Sequence, residues 1–77
     1  MVIGEFELSD FQMLNVERKQ DDFGCERIEL RIWYRFNTAY EWRRTRKGIF
    51  ILASDFKERL FPILRKLEQS IEQESVQ

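Results

Sequence analysis

Glu26-Arg27-Ile28-Glu29-Leu30-Arg31-Ile32-Trp33-Tyr34-Arg35-Phe36 is the stretch that decides the fold of this chain. Apolar and polar residues alternate through it with period two, the repeat of a β-strand whose side chains point to opposite faces. One face takes Ile28, Leu30, Ile32, Tyr34 and Phe36; the other takes Arg27, Glu29, Arg31, Trp33 and Arg35. The first set reads as a core face. The second is basic with an indole in its middle, so the sheet is expected to be apolar on one side and wet on the other, as antiparallel sheets often are.

Outward from this strand the chain keeps the same character. Asn37-Thr38-Ala39 reads as a turn, Tyr40 to Arg46 as a third strand or a flexible hairpin arm, and Gly48 to Leu52 as a fourth, wholly apolar strand. On the other side, Lys19 to Gly24 is polar and ends in glycine, which predicts a turn. Phe11 to Arg18 reads as the first strand, with Val2 to Leu8 either its extension or a mobile arm. Cys25 reads as a small apolar filler at a strand start. Beyond Leu52, Ser54 or Asp55 caps a helix, and Asp55 with Glu58 has capping-box spacing. Phe56, Leu60, Ile63, Leu64, Leu67 and Ile71 then follow a helical stripe. Pro62 interrupts it and predicts a kink near Phe61. Glu74 to Gln77 are expected to fray. The fold class is therefore α+β: a four-stranded antiparallel sheet followed by one C-terminal helix, β-β-β-β-α, with the helix covering one face of the sheet.

The 77 residues make one domain, 1–77, with 1–10 as the arm or strand extension. A chain this short is marginal without a staple. Cys25 is the only cysteine and there is no histidine, which excludes a disulfide within the chain and a structural zinc. A homodimer is the remaining route. The apolar share of 43% is too high for a disordered chain. No apolar run approaches the ~20 residues of a membrane span, and Met1 to Phe11 lacks the pattern of a signal peptide. A lone cysteine fits a reducing compartment, so the expected location is cytoplasmic, nucleoid-associated in a bacterium or nuclear in a eukaryote.

The formal net charge of -1 conceals an asymmetry. From Arg27 to Leu52 there are seven basic and two acidic residues, a local balance of +5; the rest of the chain carries six basic and twelve acidic residues, or -6. A local patch sets the local field, so a near-neutral total does not exclude a nucleic-acid partner. Catalysis is not expected. The commonest general base is absent, and there is no nucleophile–base pair, phosphate-cradling glycine loop or metal-ligand cluster. No cofactor and no metal are predicted.

What the sequence does offer is cations interleaved with aromatics. Lysine and arginine release counterions from phosphates, and each unpaired base stacked on an aromatic contributes ~1–3 kcal/mol. Arg31, Trp33 and Arg35 supply both on one strand face; Trp42, Arg43, Arg44, Arg46 and Lys47 supply them again on the next piece of chain. A duplex hides its base faces, so this pattern favours single strands. Tyr34 belongs to the core face by strict alternation, unless a bulge turns it outward. Phe61, beside the helical stripe, reads as a contact between subunits.

Glu29-Leu30-Arg31-Ile32-Trp33-Tyr34, the basic stretch after it, Arg46-Lys47-Gly48-Ile49, the apolar strand and a helix opening on Phe56 together resemble the positive-cofactor-four family of transcriptional coactivators, especially its short bacterial and phage relatives. The resemblance covers roughly Phe11 to Ile71. It implies a protomer that dimerises through its helices, here Phe56, Leu60, Phe61, Leu64 and Leu67. It also implies binding of single-stranded or melted DNA along the sheet with little sequence preference, in transcription, replication or repair. Carried over by position, Arg31 is a backbone contact, Trp33 or Tyr34 the stacking aromatic, and Arg46 and Lys47 phosphate contacts. The acidic, serine-rich regulatory tail of the eukaryotic members is absent, and Pro62 departs from the pattern. The purine-rich-element-binding proteins share the β-β-β-β-α plan and the same chemistry. An RNA-binding protein of the same fold and a small dimeric adaptor for a protein partner are the alternatives the residues leave open.

Overall fold

A computed structural model describes residues 1–75. Four strands, β1 (Val2–Glu7), β2 (Gln12–Gln20), β3 (Glu26–Tyr34) and β4 (Arg43–Leu52), form an antiparallel sheet in the order β1-β2-β3-β4, and a helical run follows without a linker. The four-stranded sheet with one C-terminal helix is the expected fold, but its strands are apportioned differently. Val2–Glu7 is neither an arm nor an extension of the next strand; it is an edge strand, turned back at Ser9-Asp10 and paired with β2 from Glu7↔Met13 to Val2↔Glu17. Tyr40 to Arg46 and Gly48 to Leu52 are not two strands. Nothing between Thr45 and Gly48 turns the chain, so residues from Arg43 onward run into the apolar segment as one strand. Lys19, read as part of a turn, belongs to β2, and Phe36 lies beyond the end of β3.

Between Arg31↔Gly48 and Trp33↔Arg44, β3 advances two residues while β4 advances four. This bulge places Thr45, Arg46 and Lys47 opposite Ile32. The Thr45 hydroxyl closes it, donating to the Ile32 carbonyl at 2.6 Å and accepting the Lys47 N–H at 3.1 Å. Beside it, Gly48 approaches β3 so closely that a Cβ would stand 2.4 Å from the Leu30 carbonyl oxygen and 3.0 Å from the Arg31 Cα. Both obstacles are backbone, so only glycine fits there.

The sheet faces divide as the alternation predicts. Across one run Leu14, Val16, Ile28, Leu30, Ile32, Ile49 and Ile51; across the other run Met13, Asn15, Glu17, Arg27, Glu29, Arg31, Trp33, Arg44 and Phe50. The expectation that the helix covers the apolar face is not met. Substantial helix–sheet contact is confined to the first turn, α1 (Ala53–Asp55) against β3, and α2 (Phe61–Ser75) projects away. The Cα radius of gyration is 15.1 Å, against about 11 Å for a compact chain of this length. Met13 is the one buried hydrophobic residue among the described residues, and it lies on the polar face with buried Asn15 and Glu29.

The helical run starts one residue after Leu52, which acts as N-cap without a side-chain hydrogen bond, so Ser54 and Asp55 lie inside the first turn instead of capping it. Phe56–Leu60 is a π-helical segment in which the Phe61 N–H reaches the Phe56 carbonyl. Pro62 follows at once. It has no N–H to donate and its ring crowds the carbonyl four residues back, so the widened turn before it is the physical form of the expected kink. The fraying expected at Glu74 to Gln77 falls largely outside the described residues. No helix among the described residues is long and apolar enough to cross a membrane.

Candidate nucleic-acid interface

Cross-strand register builds the polar face in rows. Glu7, Met13, Trp33 and Arg44 form one row; Glu5, Asn15, Arg31 and Gly48 the next; Val2, Glu17, Glu29 and Phe50 a third; and Lys19, Arg27 and Leu52 a fourth. Neighbouring strands lie ~4.8 Å apart, so side chains within a row are in reach of one another.

Glu29 is the hub. It is buried, and each carboxylate oxygen is occupied: Oε1 accepts from the Arg31 Nε and an Arg44 guanidinium nitrogen, and Oε2 lies 2.6 Å from the Lys19 Nζ. Burial alone would raise its pKa, but the hydrogen bonds from Lys19, Arg31 and Arg44 together outweigh that and bring it down to about 2. The cluster joins β2, β3 and β4 with an excess of two positive charges. Because the folded pKa is depressed, the stabilisation is present above the unfolded value near 4.5 and fades as pH falls toward 2. Glu29→Gln should therefore be much less stable than the parent at neutral pH, by roughly 3 kcal/mol. That gap should close between pH 4.5 and 2 in denaturant titrations; a gap independent of pH would remove Glu29 from this role.

Of the residues expected to meet nucleic acid, Arg31, Trp33, Arg35, Trp42 and Arg44 gather on this face. Arg31 is half-buried, held by Glu29 and by a 2.9 Å bond to the Thr45 carbonyl. Arg35 is committed to the fold: its Nε donates to the Asp10 carbonyl at 2.7 Å, Glu7 lies 3.5 Å away, and its guanidinium carbon sits 4.1 Å from the centre of the Trp42 ring. One indole face is thereby covered by a cation, a contact that fixes the ring. Arg46 and Lys47 are exposed in the bulge with no ionic partner among the described residues. Tyr34 and Arg43 are not brought to this face. They pair with each other on the opposite one, where they line a depression with Phe36, Tyr40 and Glu41.

Two further aromatics stand out that alternation did not single out, one on this face and one in the loop beside it. Phe50 faces the same side as Glu29, with the Arg27 guanidinium 5.3 Å from its ring centre. Phe23, 92% exposed, tops the β2–β3 loop. That loop is built: the Asp21 carboxylate accepts the N–H groups of Phe23 and Cys25, each at 2.9 Å, and the Arg27 Nε at 2.8 Å, while Gly24 turns at φ +80. The Arg27 hydrogen bond first, then the Cys25 N–H, holds the Asp21 carboxyl below its ordinary pKa. The available signal was an aromatic placed between Asp22 and Gly24, where a turn needs none. Among the described residues no three His, Cys, Asp or Glu side chains are grouped to hold a metal ion.

The helical residues expected at a subunit interface, Phe56, Leu60, Phe61, Leu64 and Leu67, divide by depth. Phe56 and Leu60 are half-buried at the bend, with the Phe56 and Phe61 rings 6.1 Å apart. Phe61, Leu64 and Leu67 are exposed, as are Ile63 and Ile71. Ile49, Ile51, Leu60 and Ile63 line an apolar groove where sheet and helix diverge.

Comparison with protein-family models, with curated proteins and with solved structures found no match for this chain.

Proposed function

We propose that this chain is a non-catalytic single-stranded-DNA-binding protein that works as a homodimer and binds largely without regard to sequence, in transcription, replication or repair. The observation that carries the reading is the gathering of Trp33, Trp42, Arg31 and Arg44 on one sheet face beside the exposed Arg46 and Lys47. Indoles on an open sheet meet unpaired bases, and the cations track the phosphates. Arg27, Arg31, Arg35 and Arg44 already have carboxylate partners, so Arg46 and Lys47 are the cations left free for the strand's phosphates.

The dimer is supported by area. The protomer exposes 6578 Å², whereas a folded monomer of its 9.5 kDa mass exposes about 5,000 Å². The surplus, on the order of 1,500 Å², is as much as each subunit contributes to a generous homodimer interface. Ile49 on the apolar sheet face and Phe61, Ile63, Leu64, Leu67 and Ile71 on α2 are the exposed hydrophobics available to such an interface.

The test is fluorescence anisotropy of a labelled single strand and of its duplex, at two salt concentrations. Tight, salt-sensitive binding to the single strand is expected, with weaker binding to the duplex; no binding to either at low salt overturns the reading. Replacing Arg46 and Lys47 together with glutamine should flatten the log–log salt slope by about 1.4, at ~0.7 per lost phosphate contact. An unaltered slope would take the bulge out of the interface.

A further inference from the structure

The polar face is not uniformly basic. Its β3–β4 half carries Arg27, Arg31 and Arg44 against Glu29, a net +2, while its β1–β2 half carries Glu5, Glu7 and Glu17 against Lys19, a net -2. At the boundary lies a depression with Met13 and Asn15 as its buried floor, Glu5 and Glu17 on one side and the indoles of Trp33 and Trp42 on the other. The Asn15 Nδ2 donates to the Glu5 Oε2 at 3.0 Å, which orients that carboxylate and spends an amide donor on it. Glu5 has no cationic partner among the described residues; Glu17 has only Lys19, at 3.4 Å.

A carboxylate only accepts hydrogen bonds. A phosphate, itself an acceptor and an anion, is repelled from this depression. Its occupant must be flat, to lie against an indole, and must present donors at its edge. Guanine presents a ring N–H and an exocyclic amine side by side, the pair that suits a carboxylate. Adenine and cytosine present one amine and thymine one ring N–H, so none of the three sets two donor groups side by side. We propose that the depression bounded by Glu5, Glu17, Trp33 and Trp42 is a base pocket that takes guanine in preference to thymine. The charge division sets the strand's orientation, phosphates over β3 and β4 and bases toward β1 and β2. This rests on the single-strand reading above and adds a base bias to backbone-driven binding.

The experiment compares three labelled oligonucleotides of about 20 bases, longer than one site. One is all thymine, one carries isolated guanines among the thymines, and one carries inosine, which lacks the exocyclic amine, at those positions. The guanine strand should bind about tenfold more tightly than all-thymine, at the scale of one bidentate base contact, and inosine should lose most of the gain. In Glu5→Gln and Glu17→Gln the guanine-to-thymine ratio should fall toward one, while all-thymine affinity rises because a negative charge has left the face. Equal binding of guanine and thymine strands by the parent protein overturns the pocket, as does a preference that survives both substitutions. Failure to bind even all-thymine at low salt overturns the single-strand reading itself, and the pocket with it.

Discussion

Trp33→Ala is expected to weaken single-strand binding by ~1–3 kcal/mol, a factor of about 5 to 150, while the protein remains a folded dimer. Trp33 stands in the row Glu7–Met13–Trp33–Arg44, so its indole is flanked by the sheet's one buried hydrophobic residue and by an exposed cation. It is partly exposed. Trp42, by contrast, has one face under the Arg35 guanidinium. Alanine at 33 removes the stacking surface and leaves Arg44 and the Glu29 cluster in place. Anisotropy reads the affinity, and the thermal transition reads the fold. Unchanged affinity in a folded Trp33→Ala protein would take Trp33 out of the site, and Trp33→Phe should recover most of the loss if stacking is what the residue does.

Leu64→Asp should abolish the dimer and the cooperative fold together. Leu64 is exposed in the protomer, within a stripe that includes Ile63, Leu67 and Ile71. Burying a leucine contributes about 1.5–3 kcal/mol, and an unpaired carboxylate in the same place costs several more. Among the described residues one hydrophobic side chain is buried, so little remains to keep a dissociated chain folded. Sedimentation with circular dichroism decides it. A parent protein that is monomeric and folded at micromolar concentration would sink the dimer, and a dimeric Leu64→Asp would move the interface off this stripe.

Much of this was legible in the residues. Alternation from Glu26 to Tyr34 put Trp33 and Arg31 together and Tyr34 opposite, and the sheet keeps that division. Pro62 marked where the helix leaves regular α geometry. The rest depended on partners. Alternation tells which side chains of one strand share a face, not which residues of the next strand stand beside them, so the meeting of Lys19 and Arg44 at Glu29 could not be read. Glu29 passed for one more solvated acid, although it is among the most buried residues of the chain. The continuity of β4 was hidden because Gly48 looks like a turn residue, whereas its lack of a side chain serves close approach to β3. The reach of the helix away from its own sheet was hidden for another reason: a stripe shows that something will be covered, not which molecule supplies the cover.

The bulge in β4 has one more consequence. β4 ends the sheet, and Ile49-Phe50-Ile51-Leu52 on an open edge is the kind of segment that recruits like segments from other chains into aggregates. An irregular edge carrying Arg43, Arg44, Arg46 and Lys47 just before that segment is a poor template for strand addition, because incoming copies bring the same charges. On the single-strand proposal, Arg44, Arg46 and Lys47 would serve twice, meeting phosphates and keeping copies of the chain apart at this edge. If the proposed single strand neutralises them, protomers crowded along it would lose that protection, and clustering of the bound protein is the expected result.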